Sequence, residues 1–357
     1  MKKLRVGILG ATGMVGQRFV SLLEDHPWFE VASVAASPRS AGKKYSEAVE
    51  GRWQMKDAVP RNAERLMVKK VEEDIDEIAD EVDFVFSALD MDKEEIKKVE
   101  EAYAAKGIPV ISNNSAHRWT EDIPMIIPEV NPEHISLIKA QKANRGWDKG
   151  FIVVKPNCSI QGYVPILKAL EAYRPKKVVV TTLQAISGAG KTFDTMPEII
   201  DNVIPFIRNE EEKSEKEPLK ILGKISKGRI VIASTPEIFA TCIRVPVSDG
   251  HMASVSMKLG KEITKEEFVR KIESFNPIAS LNLPSAPKQF IKYFNEENRP
   301  QTKLDRDYGN GMGLTVGRLR QDNILGWDFI SLSHNTIRGA AGGAILTAEL
   351  LRAKKYI

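Results

Sequence analysis

Residues 4–16 read LRVGILGATGMVG, and this stretch decides the fold. The run Leu4–Leu9 is short and apolar, which is typical of a buried parallel strand. Glycines follow at Gly10, Gly13 and Gly16, where a helical pattern begins. Such glycines let the backbone approach a pyrophosphate, whose negative charge a helix N-terminus favours. The stretch therefore predicts a dinucleotide-binding strand–turn–helix, with a tight turn that binds nothing as the alternative.

The residues that follow alternate between strand and helix patterns. Apolar runs at Val31–Ala36, Asp83–Ala88 and Pro109–Ser112 predict strands, and Lys93–Lys106 predicts an amphipathic helix. Strands that alternate with helices favour a parallel sheet covered on both faces. We therefore predict an α/β fold whose first domain, residues 1–152, is a Rossmann-type nucleotide-binding domain.

The second half of the chain has a different pattern. Its strand candidates are rich in β-branched residues and lie at Lys177–Ala185, Arg229–Thr235, Val255–Leu259 and Leu314–Leu319. They predict an antiparallel or mixed sheet in a second, α+β domain over residues 153–335. A length of 357 residues fits two domains.

Composition excludes several classes of protein. The formal net charge is +4, with 52 basic and 48 acidic residues interspersed, which gives no case for nucleic-acid binding. Two cysteines in 357 residues are no disulfide framework and suit a reducing compartment. No His/Cys cluster predicts a metal site, and no apolar run reaches the roughly 18 residues of a membrane span. We expect a cytoplasmic protein.

The end of the second predicted strand bears on the choice of cofactor. An NAD site usually places an acidic residue there for the ribose hydroxyl, but residues 35–40 read AASPRS and contain no acid. Ser37, Arg39 and Ser40 offer hydroxyls and a guanidinium suited to a 2′-phosphate. These residues favour NADP over NAD, unless the segment is a solvated loop.

Cys158 is the candidate nucleophile. It follows Pro156 and Asn157 just before a helical pattern, and a helix N-terminus lowers a thiol pKa. Cys242 lies within an apolar strand-like run and fits a buried small hydrophobic residue. His251, in a predicted turn, is the best candidate base, although periodicity does not separate it from the other four histidines. These are His26, His117, His134 and His334.

At these residues the chain resembles the aspartate-semialdehyde dehydrogenase family, and within it the archaeal and fungal branch. The matching segments run in order over essentially the whole chain, and their combination is specific although no single segment is. They are GATGMVGQRF, SNNSAHR (112–118), PNCS (156–159), QAISGAG (184–190), NEEEKSEKEPLKIL, RVPVSDGH (244–251) and NTIRGAAGG.

The resemblance implies roles for the matching positions. Cys158 would be the nucleophile and His251 the general acid–base, with Gln184 orienting the substrate. Arg244 would bind the substrate carboxylate and Glu210 its amino group, while Lys213, Arg118 and Asn114 would bind phosphate. Glu210 and Lys213 share a helix face at i, i+3, although the choice of Glu210 over Glu211 or Glu212 stays open, and a surface ion pair is the alternative. The cofactor contacts would be Gly10, Thr12, Gly13, Met14, Val15, Gly16, Ser37, Arg39, Ser40, Ser87, Ala88, Ser187, Gly188 and Asn335.

The resemblance also implies a reaction and an assembly. The reaction is the NADP-dependent reductive dephosphorylation of aspartyl phosphate to aspartate semialdehyde through a Cys158 thioester, a step of amino-acid biosynthesis. The backbone N–H of Cys158 or Ser159 would stabilise the oxyanion. Residues 336–357 would return to the nucleotide-binding domain, and the chain would form a homodimer or homotetramer.

The sequence departs from the family pattern at two places. Lys155 stands where an asparagine usually precedes Pro-Asn-Cys, and Ser159-Ile160-Gln161-Gly162 replaces the common Ser-Thr. A Gln-Gly after the nucleophile is similar to the archaeal malonyl-CoA reductases, so malonyl-CoA reduction is an alternative activity. A non-catalytic NADP-binding regulator is a second alternative, which the presence of both Cys158 and His251 disfavours.

Overall fold

Strand β1 lies at the centre of a six-stranded parallel sheet in the computed structural model, which describes residues 2–357. The strand order is β3-β2-β1-β4-β5-β6, the arrangement of the Rossmann fold, and it confirms the predicted fold class. β1 is paired along both edges, and its last four residues, Val6–Leu9, are buried, which is why that part of the strand carries no polar side chain. The strands are β1 (Leu4–Leu9), β2 (Phe29–Ala36), β3 (Val68–Lys70), β4 (Phe84–Ser87), β5 (Val110–Ser112) and β6 (Ile152–Val154).

Helices cover the sheet and join its strands. They are α1 (Met14–Leu22), α2 (Tyr45–Ala48), α3 (Ile75–Glu81), α4 (Lys93–Ala105) and α5 (Leu137–Arg145). The predicted boundary at residue 152 falls inside β6, because Ile152–Val154 pairs with β5 and still belongs to this sheet. The last helix, Gly342–Ala353, buries Leu350 and Leu351 in the same apolar cluster as Val6.

A second six-stranded sheet follows, with the order β10-β7-β11-β14-β13-β12. It is mixed, since β7 pairs parallel with β10 and antiparallel with β11. Its strands are β7 (Pro175–Gln184), β10 (Glu237–Arg244), β11 (His251–Leu259), β12 (Ile291–Phe294), β13 (Leu314–Gln321) and β14 (Trp327–Ser333). The predicted strand Arg229–Thr235 is outside this sheet: only Arg229–Val231 (β9) is extended, in a hairpin with Lys224–Ser226 (β8).

The helices of the second half are α6 (Val164–Ala169), α7 (Glu210–Ile221), α8 (Lys265–Glu273), α9 (Thr302–Asp305) and α10 (Gly342–Ala353). The charged stretch at 209–220 forms α7, which packs on β10 and buries Ser214, Glu217 and Lys220. Within residues 2–357, no helix is long and apolar enough to cross a membrane.

Candidate active site

Cys158 lies at the start of a short 3-10 turn, Ser159–Gly162, just beyond β6. Asn157 holds the connecting loop in place through its side chain and its backbone. Its Oδ1 accepts the N–H of Ser159 at 2.7 Å, and its own N–H donates to Glu217 Oε2 at 2.7 Å. Of the two predicted oxyanion donors, Ser159 is therefore engaged, and the N–H of Cys158 has no acceptor among residues 2–357.

His251 is the histidine that the fold brings to Cys158. Its Nε2 lies 3.3 Å from the Cys158 Sγ, and its Nδ1 accepts the N–H of Ala185 at 3.1 Å. Because Nδ1 is an acceptor, the neutral ring carries its proton on Nε2, directed at the sulfur. His251 is the first residue of β11 rather than part of a turn. The other four histidines bond elsewhere.

Burial is the largest influence on the pKa values of Cys158 and His251. It raises the pKa of the Cys158 thiol to about 11, with Glu210 adding to the effect and Lys155, Arg118 and Arg244 opposing it. The expectation that a helix N-terminus lowers this pKa is therefore outweighed by loss of water. Burial also lowers the pKa of His251 to about 3, assisted by Arg244. At neutral pH the site holds a neutral imidazole.

The ends of two neighbouring strands place Gln184 and Arg244 beside this pair. The two residues are register partners at the ends of β7 and β10. Arg244 is buried, and its Nη1 donates to the carbonyl of Ala185 at 2.6 Å. Gln184 Nε2 lies 3.4 Å from Glu210 Oε2, so strand ends and the start of α7 converge on one site.

Glu210 is the carboxylate of α7 that faces the nucleophile loop. Its oxygens accept from Asn157 Nδ2 at 3.0 and 3.1 Å, and Lys213 Nζ lies 2.8 Å from Oε1. Glu211 instead accepts the N–H of Cys242, and Glu212 is exposed and pairs with Lys216. The structure thus separates three adjacent glutamates that the sequence leaves equivalent.

A cavity of about 300 Å³ brings Arg118 and Lys213 together, with Lys93 and Trp119 also in its lining. Arg118 Nη1 donates to Glu217 Oε1 at 2.9 Å, and this contact fixes the orientation of the guanidinium. The adjacent Ser115 also lines this cavity, whereas the Asn114 side chain is bonded to other residues: its Nδ2 donates to Ser87 Oγ at 2.9 Å and Glu100 Oε1 at 3.1 Å.

Glu217 is a site residue that the sequence reasoning missed. It fixes both Arg118 and the N–H of Asn157. Its position seven residues after Glu210 places both on one face of α7, and this helical spacing was the available signal.

The glycine-rich turn after β1 shapes a cleft of about 430 Å³, whose lining includes Thr12, Gly13, Arg39 and Ala88. A Cβ at Gly10 would lie 2.3 Å from the carbonyl O of Ala88, and one at Gly16 would lie 2.2 Å from that of Gly10. Only glycine allows this packing, and Gly13 is left open towards the cleft. The predicted Ser37 and Ser40 also line the cleft, and Arg52, which was not predicted, adds a second guanidinium. These residues fit a dinucleotide that carries an additional phosphate.

A smaller cavity of about 120 Å³ lies between Met14 of the first domain and Ser187 of the second. Asn335 Nδ2 donates to Ser187 Oγ at 2.8 Å, and its Oδ1 accepts the N–H of Gly250 at 2.7 Å. A Cβ at Gly188 would lie 3.1 Å from the His251 ring, so this turn closely approaches the catalytic pair. The predicted cofactor contacts Ser187, Gly188 and Asn335 are thus held together on the side of His251. Two other predicted cofactor contacts are Val15 and Ser87. Val15 is in the first turn of α1, and the Ser87 hydroxyl accepts a hydrogen bond from Asn114.

A Rossmann domain whose cleft leads to a Cys–His pair on a second, mixed-sheet domain defines a class, the nicotinamide-dependent aldehyde dehydrogenases that use a cysteine. Comparisons with known proteins agree with this class. The family model "Semialdehyde dehydrogenase, NAD binding domain" matches residues 5–138, and "Semialdehyde dehydrogenase, dimerisation domain" matches residues 165–338. The chain belongs to the aspartate-semialdehyde dehydrogenase family.

Individual relatives are similar over their full length. The aspartate-semialdehyde dehydrogenase of Archaeoglobus fulgidus is 48% identical, over 99% of each chain. The Candida albicans enzyme, solved with NADP, is 38% identical over 100% of each chain, with a TM-score of 0.89. Aspartate semialdehyde dehydrogenase II of Vibrio cholerae, solved as a complex with ASA, is 28% identical over 99% of each chain, with a TM-score of 0.73.

Proposed function

We propose that this enzyme converts aspartyl phosphate to aspartate semialdehyde with NADPH, or the reverse with NADP and phosphate, as a step in amino-acid biosynthesis. The observation that carries the substrate assignment is the placement of one cation and one carboxylate around the nucleophile. Arg244 and Glu210 are both buried beside Cys158, and each acts on the charge of its thiol. A small zwitterion offers a carboxylate to the first residue and an ammonium to the second.

The same two residues disfavour malonyl-CoA. A malonyl thioester has a carboxylate for Arg244 but no ammonium for Glu210. The buried acid would then gain no contact from the substrate, so a malonyl thioester forgoes the ion pair that an ammonium group would form with it. The Lys213 contact satisfies Glu210 in part, at 2.8 Å on Oε1.

The covalent step belongs to Cys158. Its thiolate attacks the acyl carbon of the aspartyl phosphate, and loss of phosphate leaves a thioester, which splits one difficult reaction into two easier ones. Arg118 and Lys213, which share a cavity, hold the leaving phosphate. NADPH, when bound in the cleft beside the glycine-rich turn, supplies the hydride for reduction.

His251 and the backbone N–H of Cys158 stabilise the negative charge that develops on the oxygen of the reacting carbon. The Nε2 proton of His251, 3.3 Å from Sγ, can be donated to an oxyanion that forms on the carbon attached to that sulfur. An oxyanion donor is typically worth about 3–4 kcal/mol of transition-state stabilisation. The tautomer that Ala185 selects therefore suits proton donation in the reductive direction.

We further propose that the enzyme is a homodimer formed through the outer face of the second sheet. Phe239 and Val179 are register partners on β10 and β7, and they are 62% and 43% exposed. Other exposed apolar residues belong to the same domain, including Ile200, Val203, Phe206, Val231 and Ile232. Exposed apolar patches of this kind mark interfaces, and the matched dimerisation domain includes all of these residues.

A substrate panel tests the activity. We expect the wild-type enzyme to reduce NADP with aspartate semialdehyde and phosphate, and to oxidise NADPH poorly with malonyl-CoA. Glu210→Gln should lower kcat/KM for aspartate semialdehyde by about two orders of magnitude, since a buried ion contact is lost. Glu171→Gln is the matched control, because Glu171 is exposed, forms the same kind of i, i+3 pair with Lys168 at 2.9 Å, and does not line the cavity of Arg118 and Lys213. Efficient malonyl-CoA reduction without aspartate semialdehyde activity would overturn the substrate assignment.

A further inference from the structure

Lys155 is a buried lysine without a carboxylate partner among residues 2–357. Its side chain follows β6 towards the interior and is 2% exposed. The Nζ atom has a single, long hydrogen bond, to the carbonyl of Pro156 at 3.4 Å. A buried ammonium is costly unless an anion or several hydrogen bonds compensate it, so this lysine lacks the partners that usually justify its position.

The neighbouring cations are already paired. Arg118 binds Glu217 at 2.9 Å, and Arg338 binds Glu129 through two contacts of 2.8 Å. These acids are engaged by arginines and are therefore not free counterions for Lys155. The ionisable group left beside Lys155 is the thiol of Cys158, three residues further along the chain.

Residues 339–343, at the junction with the start of α10, pack against both Lys155 and Cys158. A Cβ at Gly343 would lie 2.5 Å from Lys155 Cε, and one at Gly339 would lie 2.7 Å from Cys158 Cβ. Two glycines four residues apart thus accommodate the two side chains. The lysine is packed closely, which fixes its stem relative to the nucleophile.

We propose that Lys155 is a positioning residue that stabilises the Cys158 thiolate as its counter-charge. The inference deepens the proposed function, because it concerns the nucleophile of that site. His251 is unsuited to this role: protonation at Nδ1 would set that N–H against the N–H of Ala185, which donates to Nδ1 at 3.1 Å. The imidazole therefore serves as a neutral donor, and the positive charge comes from the lysine.

Lys155 and Cys158 each stabilise the charged form of the other, while burial opposes charge on both. Burial lowers the pKa of Lys155 to about 7, and Arg338 and Arg118 also lower it. Cys158 is the strongest influence that raises this pKa, and Glu217 raises it as well. Burial and Glu210 raise the thiol pKa, and Lys155 opposes them more strongly than Arg118 or Arg244 does. When the thiol proton passes to the Lys155 amine, the S–H bond breaks and an N–H bond forms. The net charge of the buried site does not change.

The pH dependence of Cys158 alkylation tests the proposal. In a Cys242→Ala background only Cys158 reacts, and the rate with iodoacetamide follows its thiolate fraction. Without the lysine charge the thiolate is less stable, so Lys155→Met and Lys155→Asn should move the midpoint up by about one pH unit or more. Below the midpoint, alkylation at a fixed pH should be about tenfold slower. Lys155→Arg, where it folds, should keep the lower midpoint.

Lys220→Met is the matched control. Lys220 is also buried, but its Nζ binds the carbonyls of Arg118, Thr120 and Ile123 at 2.6–3.3 Å. We expect this variant to lower thermal stability without moving the alkylation midpoint. A wild-type midpoint in both Lys155→Met and Lys155→Asn would overturn the proposal and leave the lysine as a space-filling residue. Failure of the proposed function would appear separately, as an inactive wild-type enzyme in the substrate panel.

Discussion

Arg39 is the side chain that we propose sets the cofactor preference. It follows β2 and lines the cleft of the glycine-rich turn, where an acidic residue would favour the ribose hydroxyl of NAD. A guanidinium there can pair with the 2′-phosphate of NADP, which NAD lacks. Arg39→Ala should therefore raise the KM for NADP by about tenfold, since a charged hydrogen bond is worth about 1.5–3 kcal/mol. The KM for NAD should change little.

Steady-state kinetics with both cofactors measures this difference. Arg65→Ala is a suitable control, because Arg65 is exposed in the same domain and contacts only Glu64. If Arg39→Ala raises the KM for NADP and for NAD equally, Arg39 contacts a part of the cofactor that both share. Arg52 then becomes the candidate for binding the 2′-phosphate.

At the scale of elements, the segment that leads into α10 packs against the nucleophile, Cys158. A Cβ at Gly339 would lie 2.7 Å from the Cβ of Cys158 and 3.3 Å from its Cα, so the loop at 155–158 would have to move. Gly339→Ala should lower the free energy of unfolding by about 1–3 kcal/mol, as overpacking usually does. It should also reduce kcat, because the 3.3 Å contact between Sγ and His251 would lengthen.

Chemical denaturation and kinetics on the same preparation check the two effects of Gly339→Ala. NADP binding is the internal control, since the cleft at Gly10–Gly16 does not touch Gly339. A variant with unchanged kcat would show that the loop relaxes without disturbing the Cys–His geometry.

At the scale of the molecule, the second sheet has one face covered and one face exposed. Light scattering should show a dimer for the wild-type chain. Phe239→Asp should give a monomer, because a charge would be placed within the exposed apolar face of β10 and β7. Ile324→Asp is the control, since Ile324 is 88% exposed on the loop before β14, away from β7 and β10. A Phe239→Asp variant that remains dimeric would place the interface elsewhere.

The sequence by itself determined the class of fold and the region of the chemistry. The first strand, the glycine spacing after it and the final helix are local signals, because hydrophobic periodicity and turn chemistry act over a few residues. The i, i+3 spacing of Glu210 and Lys213 and the position of Cys158 before a turn were readable in the same way. The resemblance to a family supplied roles for these residues that no local pattern contains.

Only the tertiary structure decided which of several equivalent residues meet. It selected His251 among five histidines and Glu210 among three glutamates. It also placed Arg229–Val231 outside the main sheet and reversed the expected shift of the Cys158 pKa. The physical reason is that burial and electrostatic pairing depend on residues far apart in the chain, such as Cys158 and His251, which are 93 positions apart.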